Sequence, residues 1–198
     1  MNKTVIIVLG VVLVLVLLLA IPFGMYINFY NSFKMSNNEV EAQMKQIDNI
    51  LLRRHDLIPN LVNTVKGYAQ HEKDVFTNLN NARNKMMEAN SVKEKAAANG
   101  QFESALSRLL VVVENYPQLK ANEQFNRLMD NLEGTENRLA VERKRYNDLV
   151  KDFNNKVELF PGNIVAGMMG MTKKDYFEVP DTAKENPVVD FNTDSANK

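Results

Sequence analysis

Four charged side chains interrupt runs that are otherwise apolar at helical spacing: Glu72 and Arg83 on one stripe, Glu136 and Arg143 on another. Arg53, Arg54 and Asp56 stand nearby in the stretch Arg53-Arg54-His55-Asp56-Leu57-Ile58-Pro59-Asn60. Buried singly, each such group would be strongly destabilising, so these residues are expected to pair as an internal ion network. The network would fix helix register; snorkelling to the edge of the helices is the alternative. A hydrolase using Glu72, Glu136 and Arg143 is the sharper rival. Little around them completes such a site, because no Gly-x-Ser-x-Gly elbow and no phosphate-cradling Gly loop is present. A Ser-His-Asp triad stays open, since its members need not be neighbours in sequence. The chain has no Cys, which removes thiol nucleophiles, disulfides, thiolate metal sites and the acylated Cys of lipoproteins. Carboxylate-bridged metal pairs in helical proteins use Glu-x-x-His, which does not occur here, and His55 and His71 fall near expected helix ends. No metal and no cofactor is expected.

Helices must carry these groups. From Val5 to Phe23 the chain is apolar apart from Gly10 and Pro22. Roughly 19 residues of helix span about 28 Å, close to a hydrocarbon core of about 30 Å. Leu18-Leu19-Ala20 makes a poor cleavage site, so an uncleaved membrane anchor is expected over 1–25, with Tyr26, Phe29 and Tyr30 at headgroup level. Lys3 is the one charge in that segment, and the positive-inside rule leans towards an inside N-terminus and an exported body in a bacterial inner membrane.

In the body, 26–178, Phe33, Val40, Met44, Ile47 and Leu51 line one helix ending near Arg54. Asp56 as N-cap and Pro59 in the first turn then predict a corner, with a long second helix running to about Asn90. In that helix Gly67 is a weak point, usually a sign of a close neighbour. Ser91–Gly100 has no strong stripe and reads as a connection. A third helix carries Phe102, Leu106, Leu109, Leu110 and Val113 and stops before Tyr116-Pro117. Asn122 caps a long fourth, where Phe125, Leu132, Leu139, Tyr146, Phe153 and Phe160 recur at steps of seven, the mark of supercoiled packing. Pro161-Gly162 ends it. The fold class expected is all-α: a transmembrane helix followed by an up-and-down antiparallel four-helix bundle with long second and fourth helices.

Several of these motifs resemble the LemA family. They are the stretch from Arg53 to Val62 with Val65-Lys66-Gly67-Tyr68-Ala69 and His71-Glu72, then Leu106-Ser107-Arg108-Leu109-Leu110, Glu114-Asn115-Tyr116-Pro117, Leu119-Lys120-Ala121-Asn122, Thr135-Glu136-Asn137, Arg143 with Tyr146-Asn147, and Phe160-Pro161-Gly162-Asn163. The resemblance runs from about Tyr30 to Phe191 in the family's order. It implies one N-terminal membrane helix, a four-helix bundle and no known reaction. It also implies an outside N-terminus, opposite to the charge count. The chain lacks the Trp expected between Val40 and Asp48, a difference of local packing.

After the bundle, Met168, Met169, Met171, Tyr176 and Phe177 belong to an apolar segment, 161–178, that folds back over one end of the bundle or offers a partner surface. Residues 179–198 are too polar to fold alone and read as a flexible tail, with Val188-Val189-Asp190-Phe191 a short docking island. Basic and acidic groups are equal at 24 each, which gives no footprint for nucleic acid. The function expected is a non-enzymatic, membrane-anchored scaffold that contacts the bilayer and either copies of itself or other membrane or envelope proteins. A sensory bundle holding a small ligand and signalling through a membrane partner is the alternative.

Overall fold

The computed structural model describes residues 3–178. The expectations for Val179–Lys198, including the Val188–Phe191 island, lie outside them. Every regular element among the described residues is helical: α1 Lys3–Lys66, α2 Lys73–Glu88, α3 Val92–Val113, α4 Pro117–Lys120, α5 Glu123–Glu158 and α6 Gly162–Met168. The long helices are the first and the fifth.

The corner expected at Asp56 and Pro59 does not exist, and α1 runs through both residues. Pro59 has no N–H for the His55 carbonyl one turn back, a loss that disrupts a helix interior by about 3 kcal/mol. Here the carbonyl is served from outside, because Arg83 on α2 donates its Nε–H to it at 3.0 Å. Asp56 caps nothing; its exposed carboxylate lies 3.0 Å from the His55 ring. The chain turns instead over Gly67–Glu72, where the N–H groups of Tyr68 and Ala69 both close on the Val65 carbonyl. Gly67 is therefore the residue after a helix end, not a gap within one. The expected long second helix is in fact the end of α1, this turn, and α2.

Ser91–Gly100 is not a connection either. Ser91 accepts from the Glu94 N–H at 3.2 Å while Glu94 accepts from the Ser91 N–H at 2.9 Å, a reciprocal cap that starts α3. The backbone N–H groups of Ser91 and Asn90 hold the Glu94 carboxyl below its ordinary value. Ala96, Ala98, Asn99 and Gly100 lack a stripe of large side chains, yet all four are buried. Asn122 does cap α5, accepting from the Phe125 N–H at 3.0 Å.

The chain divides into two compact units. The first takes α1 through Ile47 and the stretch Glu142–Asp175. Phe33, Val40 and Ile47 are buried at steps of seven along α1, as are Tyr146 and Phe153 on α5. The Phe33 and Phe153 rings meet edge to face at 6.1 Å. Gln43 donates to Glu142, to its backbone carbonyl at 3.2 Å and its carboxylate at 2.6 Å. Gly170, at φ +64°, closes α6 in the left-handed region, and the Met171 N–H returns to the Ala166 carbonyl at 2.9 Å. The chain then runs back along α5. Asn154 grips Lys174 by both backbone groups, at 3.0 and 2.8 Å, and the Tyr146 hydroxyl donates to the Asp175 carbonyl at 3.1 Å.

The second unit holds Asp48–Val141 and the described residues from Tyr176 on. Its core collects Leu51, Ile58, Leu61 and Val65 from α1, Phe76 and Leu79 from α2, Phe102 and Leu109 from α3, Leu119 from α4, and Phe125, Leu132 and Leu139 from α5, all buried.

Candidate functional site

One charged side chain lies fully inside the second unit: Arg54, 1% exposed. α1 carries it on the inward face, one turn from both Leu51 and Ile58, so the same periodicity that buries the leucine and isoleucine buries the guanidinium. Its Nη1 donates to the Asn99 side-chain oxygen at 3.0 Å and to Glu136, and its Nη2 donates to Glu103. Asn99 and Glu103 are one turn apart on α3 and present both acceptors from one face. The guanidinium also lies 4.9 Å from the centre of the Phe102 ring, a cation–π contact. Its Nε–H is buried with no acceptor. One residue thus joins α1, α3 and α5.

The two carboxylates are about a third exposed, so the knot opens to water on their side. Two ionised carboxylates around one guanidinium leave a net charge of −1, which favours a proton. Burial pushes the Glu103 carboxyl above its ordinary value; Arg54 opposes that shift and the neighbouring Glu136 adds to it. This arrangement can bind three helices together and hold a proton near Glu103.

Arg53 and Asp56 are exposed, as they flank Arg54 at about 100° and 200° around α1. Arg83 serves the His55 carbonyl, and Glu72 accepts from the Tyr116 hydroxyl at 3.4 Å. Arg143 is half-buried and belongs to the first unit. Glu103 and Asn99 were missed although they interrupt a stripe: Glu103 lies three residues before Leu106 and seven before Leu110, and Asn99 three before Phe102. Of the apolar C-terminal set, Met168 is exposed, Met169 and Met171 are half-buried, and Tyr176 is exposed; Phe177 is buried, so it offers no surface. Among the described residues no three His, Asp or Glu side chains gather to hold a metal. A polar groove of about 530 Å³ separates from this knot along α2 and α3, lined by Asn78, Asn81, Lys85, Glu88, Gln101 and Arg108 among others.

Comparison with known proteins adds lineage to this geometry. Magnetosome protein MamQ 2 of Paramagnetospirillum magneticum is 26% identical over 186 residues, covering 81% of this chain and 68% of the relative. Magnetosome protein MamQ of Magnetospirillum gryphiswaldense is 24% identical over 187 residues with the same coverage. Protein LemA of Metamycoplasma hominis is 22% identical over 183 residues, covering 92% of this chain and 82% of the relative. The profile of the LemA family matches residues 43–191, a span that holds Arg54, Asn99, Glu103 and Glu136 alike. The chain belongs to the LemA family.

Proposed function

We propose that this protein is a membrane-anchored helical scaffold that works by contact with other chains and not by a reaction. The observation that carries the reading is α1: its first part is apolar on every side and uncovered within the structure, and the same helix continues without a break to Arg54. A helix apolar all round suits hydrocarbon. A helix that continues from such a segment tethers what it carries to the membrane. We read the body as an up-and-down four-helix bundle whose sevenfold seam on α5 supports coiled-coil-like packing and self-association. The site is a bacterial inner membrane, and the single charge Lys3 favours export of the body. Arg54 and its acceptors lock three helices together, a structural use of buried charge that requires no substrate.

The test is extraction and capture of the full-length protein from membranes. Resistance to alkaline carbonate, release by detergent, and a discrete particle larger than one chain or a stoichiometric co-purifying membrane protein are the expected results. Release by carbonate alone would remove the anchor. A strictly monomeric particle with no partner after cross-linking in intact cells would remove the scaffold.

A further inference from the structure

We propose that the corner between α5 and α6 is a second membrane contact, in which Leu159, Phe160, Ile164 and Met168 enter the bilayer interface beside the place where α1 leaves it. The inference rests on the reading of α1 as a membrane anchor.

α6 has two apolar faces. Gly162, Val165 and Ala166 are buried in the first unit. Ile164 and Met168 are one turn apart on α6 and face outward, and Phe160 stands exposed in the turn before it. Phe160 is 79% exposed and Met168 71%, with Leu159 also bare. Single exposed apolar residues are ordinary on a protein surface, but a Leu, a Phe, an Ile and a Met exposed within ten residues at one corner mark a contact surface.

Gly162 fixes the height of this surface. A Cβ there would lie 2.4 Å from the Lys156 carbonyl oxygen and 3.6 Å from the Phe29 ring, so α6 begins directly against α1 at Phe29. Phe29 lies only about 9 Å along the helix axis beyond Phe23, where the apolar run of α1 stops. Interfacial helices sit with their apolar face about 5–10 Å into the headgroup boundary. Tyr26 and Tyr30, with ring centres 6.2 Å apart, occupy the same turns of α1 and are the residue type that favours headgroup level. The bare face of α6 therefore continues the apolar surface of α1 at the depth where a bilayer surface would lie. That continuity selects lipid over a second protein as the occupant.

The absence of Cys allows single labels. Ile164→Cys and Met168→Cys, at exposed positions, would carry an environment-sensitive fluorophore on the full-length protein in phosphatidylethanolamine–phosphatidylglycerol vesicles. Leu15→Cys reports the anchor, and Asp148→Cys, exposed on α5, reports water. The expected result is a blue shift at 164 and 168 with loss of emission to lipids bearing a shallow nitroxide, quenching at 15 by a deep nitroxide, and neither effect at 148. Quenching at 15 with water-like emission at 164 and 168 would overturn the second contact and leave the anchor standing. A blue shift at 164 and 168 without lipid quenching would mean that protein covers the face, which also overturns it. No quenching at 15 would end both readings.

Discussion

In the second unit a full charge is buried and three helices are tied to it; in the first, buried neutral groups, beside an exposed Lys173–Glu158 pair, tie a returning chain to one helix. Arg54 faces Asn99, Glu103 and Glu136, whereas Asn154 and Tyr146 hold the backbone of Lys174 and Asp175. The difference lies in what each arrangement risks. A guanidinium out of water depends on its partners being present, and its partners on it. An amide or phenol loses only ordinary hydrogen bonds when a partner goes.

The largest effect should follow from Arg54→Met. It removes the guanidinium that Glu103 and Glu136 share, and breaking a buried pair in this way costs about 3–5 kcal/mol. Chemical denaturation of the detergent-solubilised protein measures it. Adding Glu103→Gln and Glu136→Gln should recover most of the loss; if it does not, the packing of Arg54 on Phe102 matters more than its charge.

Next comes Asn154→Ala, at about 1–3 kcal/mol, because two backbone groups of Lys174 lose their partner together. Hydrogen exchange should rise in residues 171–175 and stay unchanged around Arg54. A global rise would mean that the neutral tie is as central as the charged one.

Arg83→Ala should cost about 1 kcal/mol by exposing the His55 carbonyl. In a Pro59→Ala background the helix supplies that carbonyl with its own N–H, so the cost should vanish. A double-mutant cycle showing no coupling would reject the repair role of Arg83.

The smallest effects are in pH. The folded-state pKa of Glu103 is raised above 4.5, so folding binds its proton more tightly; that contribution is full below about 4.5 and is lost as pH rises through the folded value. Glu103→Gln should flatten this decline in melting temperature. Burial, helped by the Asp175 carboxylate, pushes Tyr146 from 10.0 up to about 12, so its contribution holds through neutrality and is lost between those values. Tyr146→Phe should remove the alkaline step alone. An acid-range change in Tyr146→Phe would blur the contrast between the two regions.

Much of the helical framework was legible. Phe125, Leu132, Leu139, Tyr146 and Phe153 are buried as their spacing requires, and Phe160 departs because α5 has already ended at Glu158. Pro59 misled because a breaker rule counts the local hydrogen bond lost, while the repair comes from Arg83, 28 residues from His55 in sequence. Ser91 and Glu94 carried a readable capping signal, but the small residues after them show no stripe even though they pack closely. At the site, Glu136 was visible as a charge on an apolar seam. Glu103 was readable in the same way, three residues before Leu106 and seven before Leu110, yet its pairing with Arg54 shows only when α1 is laid against α3.

The partners of α1 in the first unit come late in synthesis. Gln43 waits 99 residues for Glu142, and Phe33 meets Phe153 later still. α2 and α3 are near neighbours in sequence and can pair as soon as both have been made. During translation, then, the first-unit part of α1 stands unpartnered while the middle of the chain is already assembling, and that bare side is clothed only once α5 has been made.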